Sequence, residues 1–133
     1  MRVPLNMAQI FRVSVFCLLT ALPLHPAIAS DHGGGGGPEP LLFTVNLGTE
    51  HYLQFGVILQ TATPEVAHEI AVYRPKIQNE IILLISGKTS EQLRTLKGKE
   101  ALIEEIIALA NHVIHETEKT GVHEALFTNF IIQ

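Results

Sequence analysis

The apolar residues of this chain change their spacing twice, and that change constrains the fold more than any other feature. Across Tyr52-Leu53-Gln54-Phe55-Gly56-Val57-Ile58-Leu59-Gln60 they alternate, the period of a strand with one buried face. Leu53, Phe55, Val57 and Leu59 share that face. From Val66 the interval lengthens to three or four residues. Val66, Ile70, Tyr73, Ile77, Ile81 and Leu84 form one helical stripe, and Leu102, Ile103, Ile106, Ile107, Ala110, Val113 and Ile114 form a second. The closing run VHEALFTNFIIQ returns to the β-branched and aromatic density of a strand. With an earlier strand over 42–47, joined to 52–61 through Gly48-Thr49-Glu50-His51, the order is β-β-α-α-β. The expected fold class is α+β, a small antiparallel sheet with the helices packed on one face.

Local signals set the boundaries. Thr63 is an N-cap, with Pro64 at the first helical position and Glu65 in the first turn, where the helix dipole favours an anion. Pro75 lacks an amide hydrogen and crowds the preceding turn, which predicts a break near Tyr73-Arg74. The stretch LLISGKTSEQLRTLKGKEALIEEI contains Gly87-Lys88-Thr89, the ending of a phosphate-binding loop. A complete loop requires glycine five positions before Gly87, where Ile82 stands, and a strand before it rather than an amphipathic helix. Helix punctuation accounts for the same residues. Gly87 is expected as a left-handed terminator, Lys88 as a cation near the negative helix end, and Thr89 with Gln92 as a capping box.

Residues 1–29 read as a signal peptide or a short membrane anchor. Arg2 and Arg12 bracket a basic segment, and an apolar run over 13–22 is broken by Pro23 and Pro26. Ala27-Ile28-Ala29 then supplies the small residues that precede cleavage between Ala29 and Ser30. The apolar run is about half the ~20 residues that a spanning helix needs. Association with the membrane would run through this segment. Residues 30–41, including DHGGGGGPEP, form a flexible and then stiffer linker, and 42–133 form the folded domain. Removing 1–29 leaves seven basic against thirteen acidic groups, a net charge of −6. That balance argues against nucleic acid or an anionic membrane surface as the main partner. Cys17 leaves with the signal, so the domain holds together without disulfides.

The parts of this sequence also form a familiar series. Tyr52-Leu53-Gln54, then NEIILLISGKT within a proline-containing helix over 75–89, then QLRTLKGKEALIEEI over 92–106, then VHEALFTNFIIQ over 122–133, resemble the FliL family. These are the flagellar basal body-associated proteins. The likeness extends over nearly all of 42–133. It implies a periplasmic domain of stomatin-like fold that associates with flagellar stator or basal-body proteins, self-associates into a homo-oligomer, and influences rotation, motility and chemotaxis without chemistry. Family members usually keep an uncleaved transmembrane helix, a point at which this N-terminus departs from them.

The remaining chemistry is sparse. His112 and His115 stand three apart on a predicted helix with Glu116 following, which gives candidate metal ligands. Their order differs from the H-E-x-x-H pattern, and a third ligand would have to come from elsewhere. No cofactor is implied. The mature chain has no cysteine, and 42–133 has no aspartate and no G-x-S-x-G elbow, so an enzyme is not expected. The last strand is apolar on both sides: simple alternation puts Leu126, Phe130 and Ile132 on one, Phe127 and Ile131 on the other. Only one side can meet the helices, so Phe127 and Ile131 are candidate interaction residues. The rival reading is a soluble periplasmic metal- or ligand-binding protein that retains the fold without a motor role.

Overall fold

The structure, a computed structural model, describes residues 37–133, so the predicted signal, its cleavage point and most of the linker lie outside the described residues. The unit that runs to Gln133 contains β1 (Leu41–Leu47), β2 (His51–Thr61), α1 (Pro64–Val72), α2 (Arg74–Ser86), α3 (Ser90–Arg94), α4 (Leu96–Ile114) and β3 (Val122–Ile132). The three strands form one antiparallel sheet in the order β1-β2-β3. The fold is α+β, as the spacing predicts.

Strict alternation makes β1 and β2 a hairpin. Leu41, Phe43, Val45 and Leu47 are buried, and their register sets Phe43 beside Phe55 and Val45 beside Leu53. The Phe43 and Phe55 rings stack at 4.7 Å. Gly48 carries φ +69°, a left-handed turn conformation that glycine adopts without strain. Buried side chains of β1 and β2 point to one side of the sheet. Ile77, Ile81 and Ile85 of α2 and Leu102, Ile106, Ala110 and Val113 of α4 join them in a single core. Fully burying each aliphatic side chain of this kind contributes about 1.5–3 kcal/mol.

The two predicted helical stretches are each divided. Thr63 caps α1, its hydroxyl accepting from the Val66 amide at 3.4 Å. The helix stops at Tyr73 and restarts at Arg74, where Pro75 fits the opening turn of α2. The helical phase resets at this break. Tyr73, expected on the buried stripe, is therefore exposed, and Ile85 rather than Leu84 completes the buried row. The second division is at Thr95, whose extended ψ of 151° separates α3 from α4. Thr95 accepts from the Gly98 amide at 2.9 Å and donates to the Gln92 carbonyl at 2.8 Å. The corner is so tight that a Cβ on Gly98 would stand 1.9 Å from the Gln92 oxygen. Glycine is required there by close approach.

Gly87 corrects one expectation. Its φ of −87° is an ordinary right-handed value, so it ends α2 without the left-handed turn. The left-handed terminator is His115, at φ +60° after α4. The amide of Glu116 donates to Asn111 O at 2.9 Å and that of His115 to His112 O at 3.4 Å. That pair of bonds closes the helix as a Schellman motif.

Candidate interaction surface

Two bulges decide what β3 shows to each side. Opposite β2 the register steps from Asn129 to Phe127 and from Glu124 to Val122, leaving Thr128 and His123 as extra residues. Each extra residue reverses the side on which the following side chains fall. Phe127 pairs with Val57, Phe130 with Phe55 and Ile132 with Leu53, all on the core face. Leu126 pairs with Ile58, Asn129 with Gly56 and Ile131 with Gln54, all on the outer face. Simple alternation put Phe127 with Ile131 and Leu126 with Phe130, and the bulge at Thr128 overturns both pairings.

Phe127 is consequently a half-buried core residue. Its ring meets Phe55 edge-on at 5.8 Å and 86°, and Phe130 at 4.9 Å. Lys99 of α4 lies over the Phe130 ring at 5.2 Å, a cation–π contact that ties α4 to the sheet. Ile131 is 44% exposed on the opposite side. With it on that face stand Leu42, which is 68% exposed, Leu126, Tyr52 and the half-buried Ile58. Gly56 lies at the centre of the face. A Cβ there would meet Thr128 Oγ1 at 2.2 Å and Asn129 Oδ1 at 2.8 Å, so the glycine lets these side chains close over the strand. No helix among the described residues covers this face: the helices pack on the side of Phe55 and Val57. The result is a surface with aliphatic groups around Gln54, Thr44 and Asn129.

The sheet is fastened at its far end. Gln133 exchanges backbone hydrogen bonds with Tyr52 at 2.8 and 3.0 Å, and the Tyr52 hydroxyl donates to Gln133 Oε1 at 2.6 Å. Thus Tyr52, the first residue of the Tyr-Leu-Gln run, and the last residue of the chain form one pair.

The Gly87-Lys88-Thr89 groups are occupied internally. Thr89 Oγ1 accepts from the Gln92 amide at 3.3 Å, and the Thr89 amide donates to Gln92 Oε1 at 3.0 Å. Lys88 Nζ pairs with Glu105 of α4 at 2.5 Å. The amides and the cation that a phosphate would need are those that join α2, α3 and α4, as the punctuation reading predicts.

The candidate metal ligands lie at the end of α4. His112 is exposed within the helix, His115 is exposed in the left-handed conformation that ends it, and Glu116 follows beyond the helix. Among the described residues no three His, Cys, Asp or Glu side chains gather as a metal-holding group. Nor is any described helix long and apolar enough to cross a membrane.

One polar residue escapes detection by periodicity. Asn111, only 5% exposed, donates from Nδ2 to Val122 O at 2.8 Å and accepts at Oδ1 from the Val122 amide at 2.7 Å. Its position between Ala110 and His112 gives no signal of this bidentate contact, because the partner is a backbone that only the folded chain brings near.

Comparison with known proteins places these features in a wider set. Residues 40–133 match the family described as flagellar basal body-associated protein FliL. A curated protein named Flagellar protein FliL, from Aquifex aeolicus (strain VF5), is 35% identical over 94 residues, which cover 68% of this chain and 56% of that protein. The chain thus spans little more than half the length of the curated relative it matches.

Proposed function

The chain belongs to the FliL family of flagellar basal body-associated proteins, and from that premise we propose that it is a non-catalytic accessory of the flagellar motor. On this reading it acts in the periplasm by binding stator or other basal-body proteins and further copies of itself. Through those contacts it influences rotation, motility and chemotaxis. The observation that supports binding as the mode of action is the outer face of the sheet, which no described helix covers and where Leu42, Leu126 and Ile131 stand exposed. Scattered exposed aliphatic groups are ordinary, but several on one sheet face mark a surface that meets a partner.

Export belongs to the same proposal. Cleavage between Ala29 and Ser30 would release the acidic domain into the periplasm, and intact-mass analysis of the periplasmic fraction should find a chain that begins at Ser30. Deletion of the gene should alter swimming or swarming while filaments still assemble, and tagged protein should co-purify with stator components. Normal motility under high viscous load together with a pull-down free of motor proteins would remove this reading.

A further inference from the structure

Strand β2 outruns its neighbour. Pairing with β1 begins at Leu41 opposite Val57, whereas β2 continues to Thr61. Successive residues of a strand direct their main-chain groups to alternate sides. The Tyr52 amide donates to Gln133 and the Ala62 amide to Gly121, both on the β3 side. Leu59 and Thr61, out of step with these, direct their N–H and C=O groups the other way, past the end of β1. If the register ran on past Leu41, Glu39 would lie opposite Leu59 and Gly37 opposite Thr61, but the strand pairing stops at Leu41. Among the described residues no backbone hydrogen bond links Glu39 or Gly37 to Leu59 or Thr61.

Beside this unpaired edge lies a cavity of about 600 Å³ between the end of the sheet and α1. Leu41, Leu59 and Ile70 give it an apolar lining, and Ala67 and Ala71 keep the α1 side low. Among the described residues Arg74 is the one cation in the lining. It holds Glu39 Oε2 at 2.9 Å and the Pro40 carbonyl at 3.4 Å.

We propose that this groove is a strand-addition site that takes an extended, acidic segment of a partner protein. The main-chain groups of Leu59 and Thr61, unpaired among the described residues, select an extended backbone, because only a strand presents donors and acceptors at matching intervals. The alanines of α1 leave room for its side chains. Arg74 selects a carboxylate, and the Glu39 carboxylate that now occupies it is 77% exposed. An exposed pair of that kind is readily exchanged. The site lies at the sheet edge, apart from the outer face, and does not rest on the motor reading.

The test uses the ¹⁵N-labelled full chain and an acetylated, amidated pentapeptide of alternating valine and glutamate. Saturable shifts of the Leu59, Thr61 and Ala71 amides are expected. Methylating alternate peptide nitrogens should weaken binding about tenfold, since it removes main-chain donors. Arg74→Gln should abolish the preference for this peptide over its glutamine counterpart. Ala71→Trp should fill the groove and block binding with an unchanged melting temperature. Absence of shifts at millimolar peptide overturns the proposal, as does binding indifferent to methylation. The same amides moving on dilution of the protein alone would make a second copy the occupant and overturn the assignment to a partner.

Discussion

Asn111 and Val122 are joined as though Asn111 belonged to the sheet: one side-chain amide satisfies both the N–H and the C=O of the first residue of β3, at 2.7 and 2.8 Å. The contact couples the end of α4 to the start of the last strand. Gly121 makes it sterically possible, since a Cβ there would lie 2.2 Å from Asn111 Oδ1. Asn111→Ala leaves a buried donor and acceptor unmatched, and each orphan costs about 1–3 kcal/mol. Urea unfolding should show a loss of about 2–4 kcal/mol. A loss within experimental error would mean that water replaces the side chain.

The two glycines of the central segment should behave oppositely. Gly98→Ala drives a methyl group into the Gln92 carbonyl and must displace the α3–α4 corner, at about 1–3 kcal/mol. Gly87→Ala meets nothing closer than 3.7 Å at a right-handed φ. It should be neutral or stabilise by about 0.4–1 kcal/mol through the unfolded state. Thermal melts of the two variants side by side check this.

His115 occupies a conformation that glycine holds more easily. At φ +60° a residue with a Cβ gives up about 1 kcal/mol, so His115→Gly should raise stability by up to about that amount. The exposed side chain makes no hydrogen bond among the described residues, and nothing is lost with it. A lower melting temperature would show a contact beyond the helix end.

Acid should weaken the domain through two helix starts. The Glu65 carboxyl is held below its ordinary value chiefly by a hydrogen bond from its own backbone amide, with help from the Thr63 hydroxyl. Glu91 is lowered in the same way by its own amide, then by Ser90 and Thr89. A carboxyl that is more acidic folded than unfolded stabilises above the unfolded value and loses that contribution as pH falls through the folded one. Melting temperatures should therefore decline below about pH 4.5. The Glu65→Gln, Glu91→Gln double variant should lose less over that window. Parallel curves would assign acid sensitivity to other groups.

Phe127 and Ile131 should separate stability from binding. Phe127→Ala empties a place against Phe55 and Phe130 and should cost about 2–4 kcal/mol, below the full value for a buried ring. Ile131→Lys adds a charge to an exposed position and should change stability by less than about 0.5 kcal/mol. If the outer face binds a partner, that variant should lose the partner in a pull-down while melting normally. Retained capture would move the interface elsewhere.

Much of this was legible in the sequence because periodic burial leaves a periodic trace. The alternation of β2, the Thr63 cap, the break before Pro75 and the Thr89-Gln92 box all follow from neighbours within four residues. What the sequence hid depends on distant backbone. Thr95 looks like any helical threonine until Gly98 permits a corner, Asn111 until Val122 arrives, and Phe127 until an extra residue shifts its strand. The outer face was half legible: Ile131 belongs to it, while Leu42 was obscured by its apolar neighbour Leu41.

The bulge at Thr128 means that the two ends of β3 are read in different frames. Substitution on either side of it alters one side chain, whereas removing the single residue Thr128 would set Phe127 and Asn129 side by side, still opposite Val57 and Gly56. Phe130 and Ile132 would keep the core face, and Asn129 and Ile131 the outer one, because plain alternation would then run through the strand. The bulge is thus the place where this strand can take up a change of length, and a protein of this design should gain or lose a residue here without exchanging its two surfaces.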